Sequence, residues 1–204
     1  MEHEYMRRYS VKENDFIVDL GATQGDFLKE LLPQVKAQNA FMLCVEPDPY
    51  NVSALSSFIF TNALQYATIL YGMSGSKCEL GSLVVTDQAV LHHNVKVDKQ
   101  RWGYVEKGIH KCPIYDLNTI LEYSTKGVID FIKCDIEGGE LDTFIGAQVD
   151  WTKIKALAIA AYHVVDGERT YKKLSPYFTL LGYTVEEVVD LSKDDRDMIY
   201  AWRE

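Results

Sequence analysis

Strand-like and helix-like segments alternate along almost the whole chain, and that alternation leaves few folds open. Phe16 to Leu20 reads as a short apolar strand. After a glycine-containing turn, Phe27, Leu28, Leu31, Leu32 and Val35 recur at helical spacing, with Pro33 a point where that helix could kink. Phe41 to Val45 is a second strand. Asp48 followed by Pro49 has the form of an N-cap with proline at the first helical position, and Val52, Leu55 and Ile59 supply the apolar stripe of the helix it starts. Ala67 to Tyr71, Val128 to Cys134 and Ala156 to Ala161 are further strands, and Glu140 to Ala147 is helical. Tyr171, Leu174, Phe178 and Leu181 mark a helix ended by Gly182, and Thr184 to Val189 and Met198 to Trp202 are the closing strands.

This pattern predicts an α/β fold with a mainly parallel seven-stranded sheet, helices on both faces and a terminal antiparallel hairpin. Residues 79–114 lack helical periodicity. Their β-like pieces, Leu83 to Thr86, His93 to Val97 and Lys111 to Ile114, read as a β-rich antiparallel insertion within a single domain spanning 1–204.

Composition removes several classes of function. A net charge of −9, with no basic cluster beyond Arg7 and Arg8, argues against nucleic acid as a partner. No apolar run approaches the roughly 20 residues that span a bilayer, and Met1 to Ser10 is polar, so no membrane contact and a cytoplasmic address are expected. Cys44, Cys78, Cys112 and Cys134 are too scattered for a zinc site or a redox dithiol, and His92 and His93 are adjacent rather than paired on one face. Nothing in the sequence encodes an oligomeric state.

In sheets of this kind ligands bind beyond the carboxyl ends of the strands, and three such ends carry unusual residues. After the first strand comes Asp19-Leu-Gly21-Ala-Thr-Gln-Gly25-Asp-Phe27, where two glycines let the backbone pass close to a ligand before a helix begins. After the second comes Glu46-Pro47-Asp48. A carboxylate here can accept hydrogen bonds from both hydroxyls of a ribose, although it could equally charge a helix start. The third is Asp130-Phe-Ile-Lys-Cys-Asp135-Ile-Glu137-Gly-Gly-Glu140. Strand alternation would point Asp135 and Glu137 to one side if extension persists that far; otherwise one of them caps the next helix.

These segments, with Ile114-Tyr-Asp116-Leu-Asn-Thr-Ile120 and Gly146-Ala147, resemble the FkbM family of methyltransferases over nearly the whole chain. The resemblance implies a Rossmann-like class I methyltransferase fold, S-adenosylmethionine as cofactor and O-methylation of a small-molecule or glycan acceptor. It places Asp19, Gly21, Ala22, Gly25 and Phe27 around the amino acid end of the cofactor, Glu46 and Pro47 at its ribose, Gly72, Met73 and Ser74 near adenine, and Asp135 at the methyl-transfer point. The chain departs from the family pattern at Thr23, where asparagine is frequent, and at Ala161, where an acid often precedes the histidine after the fifth strand.

Methyl transfer from a sulfonium is an in-line displacement that depends on alignment in a dry pocket, helped by a base that removes the acceptor's proton. Asp135, Glu137 and His163 are the candidate catalytic residues, with Glu137 or His163 as base. The same three could hold magnesium or manganese, but nothing in the sequence enforces a coordination geometry and no metal is assigned. Trp102 and Tyr104 of the insertion are candidates for covering the acceptor. A nicotinamide-dependent oxidoreductase is the competing enzyme class, yet Thr23 stands where its second glycine should be. A silent cofactor-binding module is the non-enzymatic alternative.

Overall fold

A computed structural model of the chain describes residues 4–86, 93–94, 106–189 and 197–203. In chain order its elements are β1 (Phe16–Leu20), α1 (Asp26–Ala37), β2 (Phe41–Glu46), α2 (Pro49–Thr61), β3 (Ala67–Tyr71), β4 (Met73–Ser74), β5 (Glu79–Thr86), β6 (His93–Asn94) and β7 (Glu106–Tyr115). They continue with α3 (Leu117–Leu121), β8 (Ile129–Cys134), α4 (Glu140–Ile145), β9 (Ile154–Ala160), β10 (Val164–Val165), β11 (Glu168–Arg169), α5 (Tyr171–Leu180), β12 (Thr184–Val188) and β13 (Met198–Trp202).

Seven strands form one sheet in the order β12-β13-β9-β8-β1-β2-β3. Only β13 runs against its neighbours, pairing antiparallel with both β9 and β12, and this is the terminal hairpin the sequence predicts. The sheet is Rossmann-like, with β8 at the centre and β1 between β8 and β2. Side chains alternate across it. Val18, Leu20, Ile132 and Leu157 enter one core beneath α4 and α5, around Phe144, Trp151 and Phe178. Ile17, Met42, Cys44 and Phe131 enter the other beneath α1 and α2, where Phe27, Leu28, Leu31, Val35 and Leu55 meet them. Buried on both faces, β1 and β8 carry apolar residues at consecutive positions rather than alternating ones, interrupted only by the buried charges Asp19, Asp130 and Lys133.

Local signals act as their chemistry dictates. Asp48 caps α2 by accepting from the amide of Asn51, with Pro49 at the first turn. Gly182, at φ +85°, ends α5 while the amide of Tyr183 reaches back to the carbonyl of Phe178. Pro33 stands on the exposed side of α1 without ending it.

The insertion builds a second sheet, β4-β7-β5-β6. Its main pairing, β5 with β7, is antiparallel as expected, but β4 pairs parallel with β7 and draws Met73 and Ser74 into this sheet. Val97, Trp102, Tyr104 and His92 lie outside the described residues. Among the described residues no helix is long and apolar enough to cross a membrane.

Candidate functional site

The carboxyl ends of β1, β2, β8 and β9 converge, and they do so through unusually close backbone contacts. Leaving β1, the chain turns at Gly21, whose amide donates to the carbonyl of Val45 at 3.0 Å, as does that of Ala22 at 3.1 Å. Gly21 has φ +77°, and a Cβ there would stand 1.8 Å from the carbonyl oxygen of Asp135. Only glycine lets the loop after β1 lie against the end of β8. Gly25, at φ +84°, occupies the position before α1.

The loop is fastened to β2 by Glu46. One of its carboxylate oxygens accepts from the amide of Thr23 at 2.8 Å, the other from the amide of Asp48 at 2.9 Å and the side-chain amide of Asn51 at 3.3 Å. Burial pushes the Glu46 carboxyl up in pKa, against the lowering effect of these three donors. Thr23 is held at φ +47°, a region that asparagine enters far more readily than a β-branched residue. The frequent family asparagine therefore has a backbone reason.

Beneath the loop, Asp19 is fully buried and ion-paired with Lys133 at 2.9 Å. Lys133 also donates to the carbonyl of Gly21 at 2.8 Å. Burial pulls the Lys133 ammonium down, but Asp19 and then Asp135 outweigh it and keep the pKa above the ordinary lysine value. Asp19 thus meets the loop from below, through Lys133.

Beyond β8 the extension does not persist. The turn passes through Glu137 at φ +53° and Gly138 at φ +92°, so strand alternation is not what brings Asp135 and Glu137 together. Neither caps α4. Glu140 instead folds back to accept from the amides of Ile136 and Gly138, each at 3.3 Å. The turn nonetheless gathers both acids around His163, which follows β9. Nε2 of His163 lies 3.4 Å from Glu137 and 3.7 Å from Asp135, while Nδ1 lies 2.8 Å from the fully buried Glu140. Burial disfavours the imidazolium, but Glu140 and Glu137 outweigh it and hold His163 well above its usual pKa. Glu137 is itself pushed up by burial, with His163 opposing. Asp135 is also engaged: the Tyr5 hydroxyl donates to one oxygen at 2.9 Å and the Tyr162 hydroxyl to the other at 3.4 Å. Burial and then the neighbouring carboxylate Asp135 raise the pKa of both phenols.

The structure thus brings Gly21, Ala22, Gly25, Glu46, Asp135, Glu137 and His163 to one end of the sheet, with Pro47 half-buried beside Glu46. It does not bring every predicted side chain there. Phe27 is core, edge-on to Tyr5 beneath the sheet. Met73 packs with Leu83, Cys112 and Ile114, and the Ser74 hydroxyl is 3.0 Å from that of Thr143 on α4. Gly72 remains at the strand ends, its amide donating to the carbonyl of Glu46 at 3.1 Å. Ala161 is buried in the core, where an acid would need a partner of its own. Four residues escaped the sequence reading: Lys133, Glu140, Tyr5 and Tyr162. The first two had a visible signal, since a lysine within an apolar strand and an acid opening a short helix each call for a partner.

Strand order and the position of this site define the class: a Rossmann-like fold of the class I methyltransferase kind. The sequence pattern of the Methyltransferase FkbM domain matches residues 19–185, and the chain belongs to that family. No curated protein matches. Among solved structures, a methyltransferase FkbM from Methylobacillus flagellatus KT superposes with a TM-score of 0.62 at 18% identity, covering 96% of this chain and 45% of that one. A precorrin-6y C5,15-methyltransferase from Geobacter metallireducens GS-15 superposes with a TM-score of 0.53 at 11% identity, covering 95% and 82%. The chain therefore spans under half the length of the FkbM protein it resembles in fold.

Proposed function

We propose that the chain transfers a methyl group from S-adenosylmethionine to a hydroxyl oxygen of a small-molecule or sugar-like acceptor. The observation that carries this reading is the contact of Gly21 with the backbone of Asp135. It sets the glycine loop and Glu46, which suit the amino acid and ribose ends of a nucleoside cofactor, directly beside a cluster of acids that suits an acceptor hydroxyl. Membership of the FkbM family supports the cofactor. A chain charge of −9 favours a neutral acceptor over a polyanion.

A bound S-adenosylmethionine would supply an electrophilic methyl group to the acceptor oxygen and leave as a neutral thioether, so this chain's part is to align the hydroxyl and take its proton. The hydroxyl proton needs a base. Asp135 already accepts from two tyrosines and His163 is enclosed, with only 4% of its side chain exposed, so Glu137 is the group placed to receive it. Asp135 and His163 position Glu137. Calorimetric titration with S-adenosylhomocysteine and, separately, NAD tests the cofactor: stoichiometric binding of the former is expected, and binding of NAD alone refutes the reading. Glu137→Gln should lower kcat at least tenfold in a methyl-release assay on hydroxylated acceptors while leaving S-adenosylhomocysteine binding intact.

A further inference from the structure

The cluster after β8 and β9 holds more negative charge than its own residues balance. Asp135, Glu137 and Glu140 surround one imidazole, and Glu140 and His163 are almost wholly buried. The nearest lysine, Lys133, is committed to Asp19. Glu140 lies 2.8 Å from Nδ1, Glu137 and Asp135 lie 3.4 and 3.7 Å from Nε2, and neither buried ring nitrogen has a partner with hydrogen-bond geometry. Two carboxylates and a buried, unpartnered ring nitrogen facing one point call for a positive charge there.

We propose that Asp135, Glu137 and His163 bind one divalent cation, of the kind that accepts carboxylate oxygen together with imidazole nitrogen, with Mn2+ the best match and Mg2+ its oxygen-preferring substitute. One donor atom from each residue lies within 4.8 Å of the others, and the His163 contacts are 3.4 and 3.7 Å. Adjacent ligands on an octahedral ion of this size are about 3 Å apart, so the His163 contacts need to close by under about 1 Å and the two acids by up to about 2 Å. The outer contacts are those of a held metal site: Glu140 on the far nitrogen of His163, and Tyr5 and Tyr162 on Asp135. Three protein ligands leave positions for water or for acceptor oxygens. In the methyltransfer reading, on which this catalytic use rests, the ion lowers the pKa of a bound hydroxyl while the second oxygen of Glu137 receives its proton.

The test is titration of the chelator-dialysed full chain with MnCl2, followed by loss of the electron paramagnetic resonance signal of free Mn2+, with MgCl2 and ZnCl2 as competitors. One equivalent of Mn2+ should bind and raise the melting temperature. Affinity should fall at least tenfold in Glu137→Gln and in His163→Gln, and stay unchanged in Asp142→Asn, which removes an acid of α4 outside the cluster. Circular dichroism establishes that each variant is folded; Glu137→Gln, on a half-buried turn, carries the test if His163→Gln is not. Absence of stoichiometric Mn2+ in the parent chain, or equal affinity in Glu137→Gln, overturns the proposal and leaves a proton as the balancing charge. S-adenosylhomocysteine is titrated on the same preparation, so Mn2+ binding without it refutes the methyltransfer reading alone, and the converse refutes the cation site alone.

Discussion

Replacing Glu46 by glutamine changes one oxygen to an NH2 group and nothing in size, yet it should be costly. Three donors converge on the carboxylate: the Thr23 amide on one oxygen, the Asp48 amide and the Asn51 side chain on the other. Glutamine can accept with only one end. If its oxygen stays with Asp48 and Asn51, its NH2 faces the Thr23 amide across 2.8 Å, and a partly buried N–H loses its acceptor. An unsatisfied group of this kind costs about 1–3 kcal/mol. For a chain of 204 residues that corresponds to about 2–12 °C in melting temperature. The same change removes an acceptor from the proposed ribose site, worth roughly tenfold or more in affinity for S-adenosylhomocysteine. Differential scanning calorimetry and isothermal titration on Glu46→Gln read the two effects separately. A melting temperature within 1 °C of the parent would refute the reasoning, because the glycine loop would then not depend on Glu46 for its attachment.

Thr23→Asn should stabilise the chain by about 0.5–1 kcal/mol, since it relieves a β-branched residue at φ +47°; a lower urea midpoint would contradict this. Lys133→Met removes the ion-pair partner of the buried Asp19 and should cost about 3–5 kcal/mol. Adding Asp19→Asn should recover part of that loss, and additive effects in the double-mutant cycle would show that the pair is not coupled. Asp130, buried at the start of β8, sits below the usual aspartate pKa because Lys126, Lys155 and the Phe16 amide overcome its burial. A depressed folded pKa means stability that is full above the unfolded value near 4 and lost as pH falls through the folded one. The parent chain should therefore exceed Asp130→Asn in thermal stability by a constant margin between about pH 5 and 7, and the margin should shrink below about pH 4; a margin independent of pH would count against the ion pairs.

The sheet was legible because burial on both faces writes itself as short apolar runs, and the boundaries of β1, β2 and β8 follow those runs to within a residue. The Asp48-Pro49 start of α2 was legible for the same local reason. The candidate site was legible where a backbone requirement demands a residue type, as at Gly21 and Gly25, and where acids and a histidine stand at strand ends, as at Glu46, Asp135, Glu137 and His163. What escaped depends on contacts across more than a hundred residues, such as the Tyr5 hydroxyl on Asp135, or on conformations that glutamate rarely adopts, such as the left-handed turn at Glu137. The parallel pairing of β4 with β7 was also beyond local patterning. Its two residues carry no periodicity, and the pairing places Met73 and Ser74 in the second sheet.

The central position of β8 has a kinetic consequence. Its pairing with β1 joins Ile17 to Phe131, so it closes a loop of over a hundred residues, whereas β1 and β2 meet through one helical crossover. Loop-closure entropy makes such distant pairing a late event relative to local units. The β1-α1-β2 unit can assemble early, but the carbonyl of Asp135 reaches Gly21 only once β8 has entered between β1 and β9. During synthesis and refolding, the candidate site is therefore among the last features to come into existence, and a nascent chain that has not yet supplied β8 holds the Gly21–Gly25 loop with no acidic cluster beside it.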